Sequence, residues 1–163
     1  MRTATVTTVV DAPQARVFDY MSDIEHLPEW ATEFARELRR EGDDYKVANG
    51  LGEFFFAIEA DPASGVIDMF AGPTKDAMAV FPTRAVALPD GRTAYSFTMF
   101  QGPGMPDELF DSQYESLRRE FANIERILQG SAARTSAARA PRARRARSSP
   151  RRSAARSGGR DSS

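Results

Sequence analysis

Polar and apolar residues alternate at the start of the chain, and Val6 to Val10 reads as a first strand. Asp11, Ala12 and Pro13 then predict a helix start, with a capping carboxylate and a proline in the first turn, and the helix runs from about Pro13 to Met21. Ser22 and Asp23 offer a second cap. Beyond them Ile24, Leu27, Trp30 and Phe34 place apolar groups three and four apart over Glu25, Glu29 and Glu33, which predicts a second short helix bent at Pro28.

From Glu33 to Gln101 the period changes to two, with turn residues at intervals of about eight to twelve, the pattern of an antiparallel meander. Six strands fit, near residues 34–41, 44–49, 52–60, 65–71, 76–88 and 92–101. They are divided by Gly42-Asp43, Asn49-Gly50, the segment from Asp61 to Gly65, Ala71-Gly72-Pro73 and Pro89-Asp90-Gly91, all residues suited to turn geometry. Pro82 interrupts the longest run and cannot donate to a ladder, so a bulge or a sheet edge is expected there.

After Gly102-Pro103-Gly104-Met105-Pro106, a loop that either connects strand to helix or hinges a lid, the stretch from Asp107 to Leu128 predicts a long helix. Phe110, Tyr114, Leu117, Phe121, Ile124 and Leu128 recur at steps of four and three along one stripe. Asp107 and Glu108 stand at its positive end, and Gly130 is the expected stop.

Charge divides the chain at the same place. Residues 1–129 hold 12 Lys and Arg against 22 Asp and Glu, while residues 130–163 hold 10 against 1. The expectation is a folded domain over 1–129 and a disordered Arg/Ala/Ser-rich basic tail over 130–163, whose composition offers no large apolar side chain to offset the entropy of ordering. The tail's arginines could contact nucleic acid or an acidic membrane, or could be a passive extension.

The absence of cysteine excludes a disulfide framework, a thiolate metal site and a cysteine nucleophile, and a single histidine excludes a multi-histidine metal site. No Walker loop, complete GxGxxG or GxSxG is present, so neither a cofactor nor a metal is expected. Met1 to Val10 lacks the basic start and apolar run of a signal peptide, and no apolar run approaches membrane-spanning length, so the expected location is the cytoplasm.

A strand, two short helices, a six-stranded meander and a long final helix make the order β-α-α-β6-α. This order resembles that of the START-like (SRPBCC) superfamily, of the polyketide cyclase/dehydrase and lipid-transport type. The stretch from Val9 to Asp23, then Leu27-Pro28-Glu29-Trp30, Phe81-Pro82-Thr83-Arg84 and the amphipathic final helix carry the likeness, which covers residues 3–129. It implies an α+β helix-grip fold, a curved antiparallel seven-stranded sheet wrapped around a long C-terminal helix. Members resembling this chain hold a hydrophobic molecule between the sheet and the last helix, and many have no established activity. The basic tail has no counterpart in that pattern.

Strand parity then gives candidate ligand contacts. Phe54, Phe56 and Ile58 share one face of their strand, and Tyr95, Phe97 and Met99 share one face of theirs. With Trp30, Met78, Val80, Tyr114 and Leu117 they are expected to line a cavity, although from the residues alone the same set would equally close a solid core.

Candidates for chemistry are His26, Arg84, Tyr95 and Tyr114. His26 titrates near neutrality when unperturbed but falls on the polar side of the pattern set by Ile24, Leu27 and Trp30. Arg84 shares parity with Met78 and Val80, with Asp68 or an acidic ligand as its possible partner, unless a bulge at Pro82 turns it to solvent. Three functions remain open at this point. They are a binder of a small lipid-, polyketide- or isoprenoid-like molecule, a metal-free aromatase/cyclase or dehydratase, and a ribosome- or nucleic-acid-associated protein that uses the tail.

Overall fold

The computed structural model describes residues 1–138. The remainder of the predicted basic tail, residues 139–163, lies outside the described residues. β1 (Thr3–Val10) leads into α1 (Gln14–Ser22), a 3-10 turn (Ile24–His26) and α2 (Leu27–Trp30). Seven strands follow: β2 (Glu37–Glu41), β3 (Asp44–Asn49), β4 (Gly52–Asp61), β5 (Val66–Gly72), β6 (Ala79–Phe81), β7 (Thr83–Ala87) and β8 (Thr93–Phe100). The described chain ends in α3 (Asp107–Ala138). All pairings are antiparallel, in the order β1-β8-β7-β5-β4-β3-β2, with β6 paired to β5 off that path. The curved sheet grips α3, as expected of a helix-grip fold.

The meander holds one strand more than the sequence pattern suggests, because Pro82 divides the run over 76–88 into β6 and β7. The Pro82 carbonyl still accepts the Thr98 amide at 2.9 Å, so the break is confined to the missing donor. The phase of this run is also opposite to the one expected. Ala79 and Phe81 stand across from Ala71 and Met69, while Thr83 and Ala85 stand across from Phe97 and Tyr95, so the odd positions face the core on both sides of Pro82. Val80 and Arg84 face outward without any flip at the proline, and both are exposed.

Two helix boundaries differ from expectation for identifiable reasons. Asp11 does not cap α1. Pro13 takes the cap position, and its carbonyl accepts the Arg16 and Val17 amides while no side chain caps the helix. The second helix ends at Trp30 instead of reaching Phe34, because α3 claims the backbone groups of its next turn. Glu120 accepts the Glu33 and Phe34 amides, and Asn123 donates to the Trp30 carbonyl. The expected cap at Asp23 does form, its Oδ1 accepting the Glu25 amide at 3.0 Å.

α3 runs through Gly130 to Ala138, so Gly130 is not its stop. A glycine inside a helix costs only about 1 kcal/mol relative to alanine, and the alanines that follow favour continuation. The core stripe of α3 nevertheless ends at Leu128, with Phe110, Leu117, Phe121 and Ile124 before it, all buried. Gly65 shows how tightly the sheet is drawn up. It holds φ +76°, and a Cβ at that position would lie 2.2 Å from the Ala85 carbonyl oxygen.

Candidate functional site

α3 leans on β1 and α2 rather than on β4 and β5, and a cleft of about 440 Å³ remains between the helix and that side of the sheet. Phe56, Met69, Phe81, Phe97 and Met99 form its floor, each from the inward face of its strand. Leu109, Gln113, Ser116, Leu117 and Glu120 descend from α3, and Leu27, Trp30, Ala31 and Phe34 close the end next to α2. The rim carries Glu33, Arg36, Arg119 and the β3–β4 turn Asn49-Gly50-Leu51. Several floor and wall contacts are aromatic: Phe81 stacks on Phe97 at 5.4 Å between centroids, and Phe34 meets Phe56 at 5.8 Å.

Of the residues expected at a ligand, Trp30, Phe56, Phe97, Met99 and Leu117 line this cleft together. Ile58 and Met78 line a separate recess of about 340 Å³ whose walls include Asp43, Asp44 and Lys75. Phe54 is half-buried against the core and lines neither space. Val80 lines neither and is 40% exposed, the consequence of the phase of β6. Phe81 takes the inward place that parity had assigned to Val80.

The candidates for chemistry lie away from the cleft. The His26 ring stacks on Tyr20 at 4.3 Å and its Nδ1 donates to the Tyr20 carbonyl at 3.0 Å, which places it among the helices after β1. Arg84 is exposed, its Nε donating to the Ser64 carbonyl at 3.3 Å, while the Asp68 carboxylate accepts the Thr83 amide instead. Tyr114 is half-buried on α3 under the Arg118 guanidinium. Tyr95 is wholly buried beneath Phe121, with ring centroids 5.5 Å apart, and is sealed from the cleft. Its hydroxyl lacks a hydrogen bond of acceptable geometry, Thr83 being the polar side chain that acts on it, and burial raises its pKa.

The polar centre of the cleft is a residue the sequence reading passed over. Glu120 is only 3% exposed, and its Oε1 accepts the backbone amides of Glu33 at 2.9 Å and Phe34 at 2.8 Å. Burial pushes its carboxyl up to about 7, against the downward pull of those two amides; the nearby Glu33 charge adds to the rise and Arg119 opposes it. Arg119 itself forms a two-pronged pair with Glu33 at 2.8 and 2.9 Å, which holds the Glu33 carboxyl low. The signal was present in the spacing. Glu120 lies three residues after Leu117 and four before Ile124, so the stripe that buries those two carries a carboxylate inward as well.

A curved antiparallel sheet closed over one long helix, with an apolar cleft between them, defines a helix-grip protein. A sequence model of the family described as "Polyketide cyclase / dehydrase and lipid transport" matches residues 1–79. Over that stretch the chain is similar to that family, and the structure as a whole shares the helix-grip fold.

Among solved structures, the Zhui aromatase/cyclase from Streptomyces sp. R1128 is similar at TM-score 0.57 and 20% identity, over 83% of this chain and 95% of that one. The protein XoxI from Bacillus cereus is similar at TM-score 0.62 and 10% identity, over 78% and 96% of the two chains. The di-domain aromatase/cyclase BexL from the BE-7585A biosynthetic pathway is similar at TM-score 0.60 and 17% identity, over 77% of this chain and 46% of that one. At these identities the likeness is one of fold. No functionally curated protein matches the chain.

Proposed function

We propose that the protein binds a small, largely apolar molecule in the cleft between its sheet and α3. The observation that carries this reading is the cleft itself: about 440 Å³, walled by aromatic, methionine and leucine side chains, with one buried carboxyl among them. That volume lies within the ~300 to 1,000 Å³ range of ligand sites, and the mix of apolar wall and sparse polar groups is what such sites show. The family description, which joins cyclases with lipid transport, supports the same reading.

Titration with the neutral dye N-phenyl-1-naphthylamine tests it. The expected dissociation constant is on the order of micromolar, with fluorescence enhanced by transfer out of water. Met99→Trp, which adds bulk to the cleft floor, should abolish enhancement while the far-UV circular dichroism stays unchanged. An unaltered titration in Met99→Trp would place the dye elsewhere, and absence of binding in the parent protein would remove the reading.

One observation favours an enzymatic variant of this function. Among the described residues Glu120 is the one buried titratable side chain that lines the cleft, and a carboxyl poised near neutrality is suited to give and take a proton beside a carbonyl, as cyclisation or dehydration requires. On that reading turnover of a polyketide-like substrate is lost in Glu120→Gln and kept in His26→Ala. Loss in His26→Ala with retention in Glu120→Gln would reverse the assignment.

A further inference from the structure

The two oxygens of Glu120 are in different situations. Oε1 is occupied by the two backbone amides of the segment between α2 and β2, whereas no protein group donates a hydrogen bond to Oε2. The Tyr95 hydroxyl is the one sealed and unpartnered side-chain polar atom among the described residues, so Oε2 is not sealed, and the space that Glu120 borders is the cleft. At pH 8, above the value of about 7 to which burial raises its carboxyl, Glu120 is mainly ionised, and a carboxylate oxygen left without a donor in an apolar recess is then a strong acceptor, because its desolvation is uncompensated until something donates to it.

The cleft also has a direction. Its α3 residues run from Leu109 to Glu120, eleven residues, or about 16 Å along the helix axis at 1.5 Å per residue. Glu120 stands at one end of that run, where its carboxylate holds the Phe34 amide, and Leu109 stands at the other. The volume corresponds to roughly fifteen water-sized groups.

We propose that the ligand is an elongated, neutral, apolar molecule with a hydroxyl group at one end, and that this hydroxyl donates to Oε2 of Glu120. The proposal rests on the cleft being a ligand site and names the chemistry that site selects. A carboxylate at the same end is disfavoured, since it brings no donor to Oε2 and meets the charge of the ionised Glu120 in an apolar recess. An ammonium group is disfavoured as well. Inside the cleft it would find a single free carboxylate oxygen with which to offset its own desolvation, the rim carboxylate of Glu33 being already paired with Arg119.

Displacement of N-phenyl-1-naphthylamine at pH 8 by four compounds of matched shape tests this: octylbenzene, 4-octylphenol, 4-octylbenzoate and 4-octylbenzylamine. The phenol should displace the dye about tenfold more strongly than octylbenzene, the size expected of one hydrogen bond to a charged acceptor, and the benzoate and the amine should be weaker than the phenol. In Glu120→Gln, which keeps an oxygen for the two backbone amides but presents a donor where Oε2 was, the phenol should lose its advantage and the benzoate should gain. Dye binding with no ranking among the four, or a ranking unchanged by Glu120→Gln, overturns the hydroxyl assignment and leaves the cleft as a ligand site. Tighter binding of the amine or the benzoate than of the phenol to the parent protein overturns it equally. Failure of the dye to bind at all removes the underlying reading instead.

Discussion

The Oε1 atom of Glu120 and the backbone amide of Phe34 stand 2.8 Å apart, joining the middle of α3 to the segment that leaves α2. The same oxygen takes the Glu33 amide, so one side chain terminates α2, fixes the entry to β2 and forms part of the cleft wall. Glu120→Ala should therefore destabilise the fold by about 2 to 3 kcal/mol, since both amides lose a charged acceptor. Glu120→Gln, which retains an acceptor, should cost less. Urea denaturation of the two variants measures this, and an alanine variant within a few tenths of the parent would mean that the segment is held by other contacts.

The elevated carboxyl of Glu120 also makes stability depend on pH. Its folded value of about 7 lies above the ordinary 4.5, so between those values the folded state binds the proton more tightly than the unfolded one. The stabilisation is complete below pH 4.5, declines as pH rises through 7 and is absent above it. A displacement of this size corresponds to at most about 3 kcal/mol. The quantity to measure is the difference in unfolding free energy between the parent and Glu120→Gln across pH 4 to 9. That difference should fall with rising pH, and a flat difference would show that Glu120 titrates alike in both states.

Tyr95 is a buried phenol whose oxygen has no adequate partner. Removing that oxygen leaves the aromatic stack on Phe121 in place and eliminates an uncompensated polar group. Tyr95→Phe should be neutral or stabilising by up to about 1 kcal/mol in thermal denaturation. A loss of more than that would show that the hydroxyl is bonded in solution, with Thr83 as the group to examine.

Phe121 is 2% exposed and touches the rings of both Tyr95 and Phe97, at 5.5 and 6.4 Å between centroids. Phe121→Ala should cost about 3 to 5 kcal/mol, the transfer of a large side chain plus the cavity it leaves. Equilibrium unfolding by denaturant reads this directly, and a shift of a few tenths would place that face of α3 outside the core.

The hydrophobic pattern carried most of the fold but only five of the 21 residues that line the cleft. Steps of three and four along α3, and of two along β4 and β8, follow from burial of one face, so Phe56, Phe97, Met99 and Leu117 were legible in the sequence. The short stretch over 76–88 was not, because Met78, Val80 and Val86 on the even positions are as apolar as Ala79, Phe81 and Ala85 on the odd ones. With apolar residues on both faces, only pairing to β5 and β8 decides the phase. The end of α2 was hidden for a different reason: the groups that stop it, Glu120 and Asn123, lie some ninety residues away in sequence. Glu120 itself was legible but overlooked, a charge on an apolar stripe being easily taken for a flanking surface residue.

The phase of β6 is open to direct test by two substitutions at adjacent positions. Val80 is 40% exposed and stands across from Phe70 on the outer face, so Val80→Lys should change stability by no more than about 0.5 kcal/mol. Phe81 stands across from Met69, stacks on Phe97 and lines the cleft, so Phe81→Lys both removes an aromatic contact and brings an ammonium group into an apolar wall. Its expected cost is about 2 kcal/mol or more, moderated by the ability of a lysine to extend its charge toward the cleft opening. Dye binding in the cleft should survive the first substitution and be lost in the second. Urea midpoints of the two variants settle the order. A larger loss in Val80→Lys than in Phe81→Lys would reverse the face assignment of β6, and with it the place of Phe81 at the cleft floor.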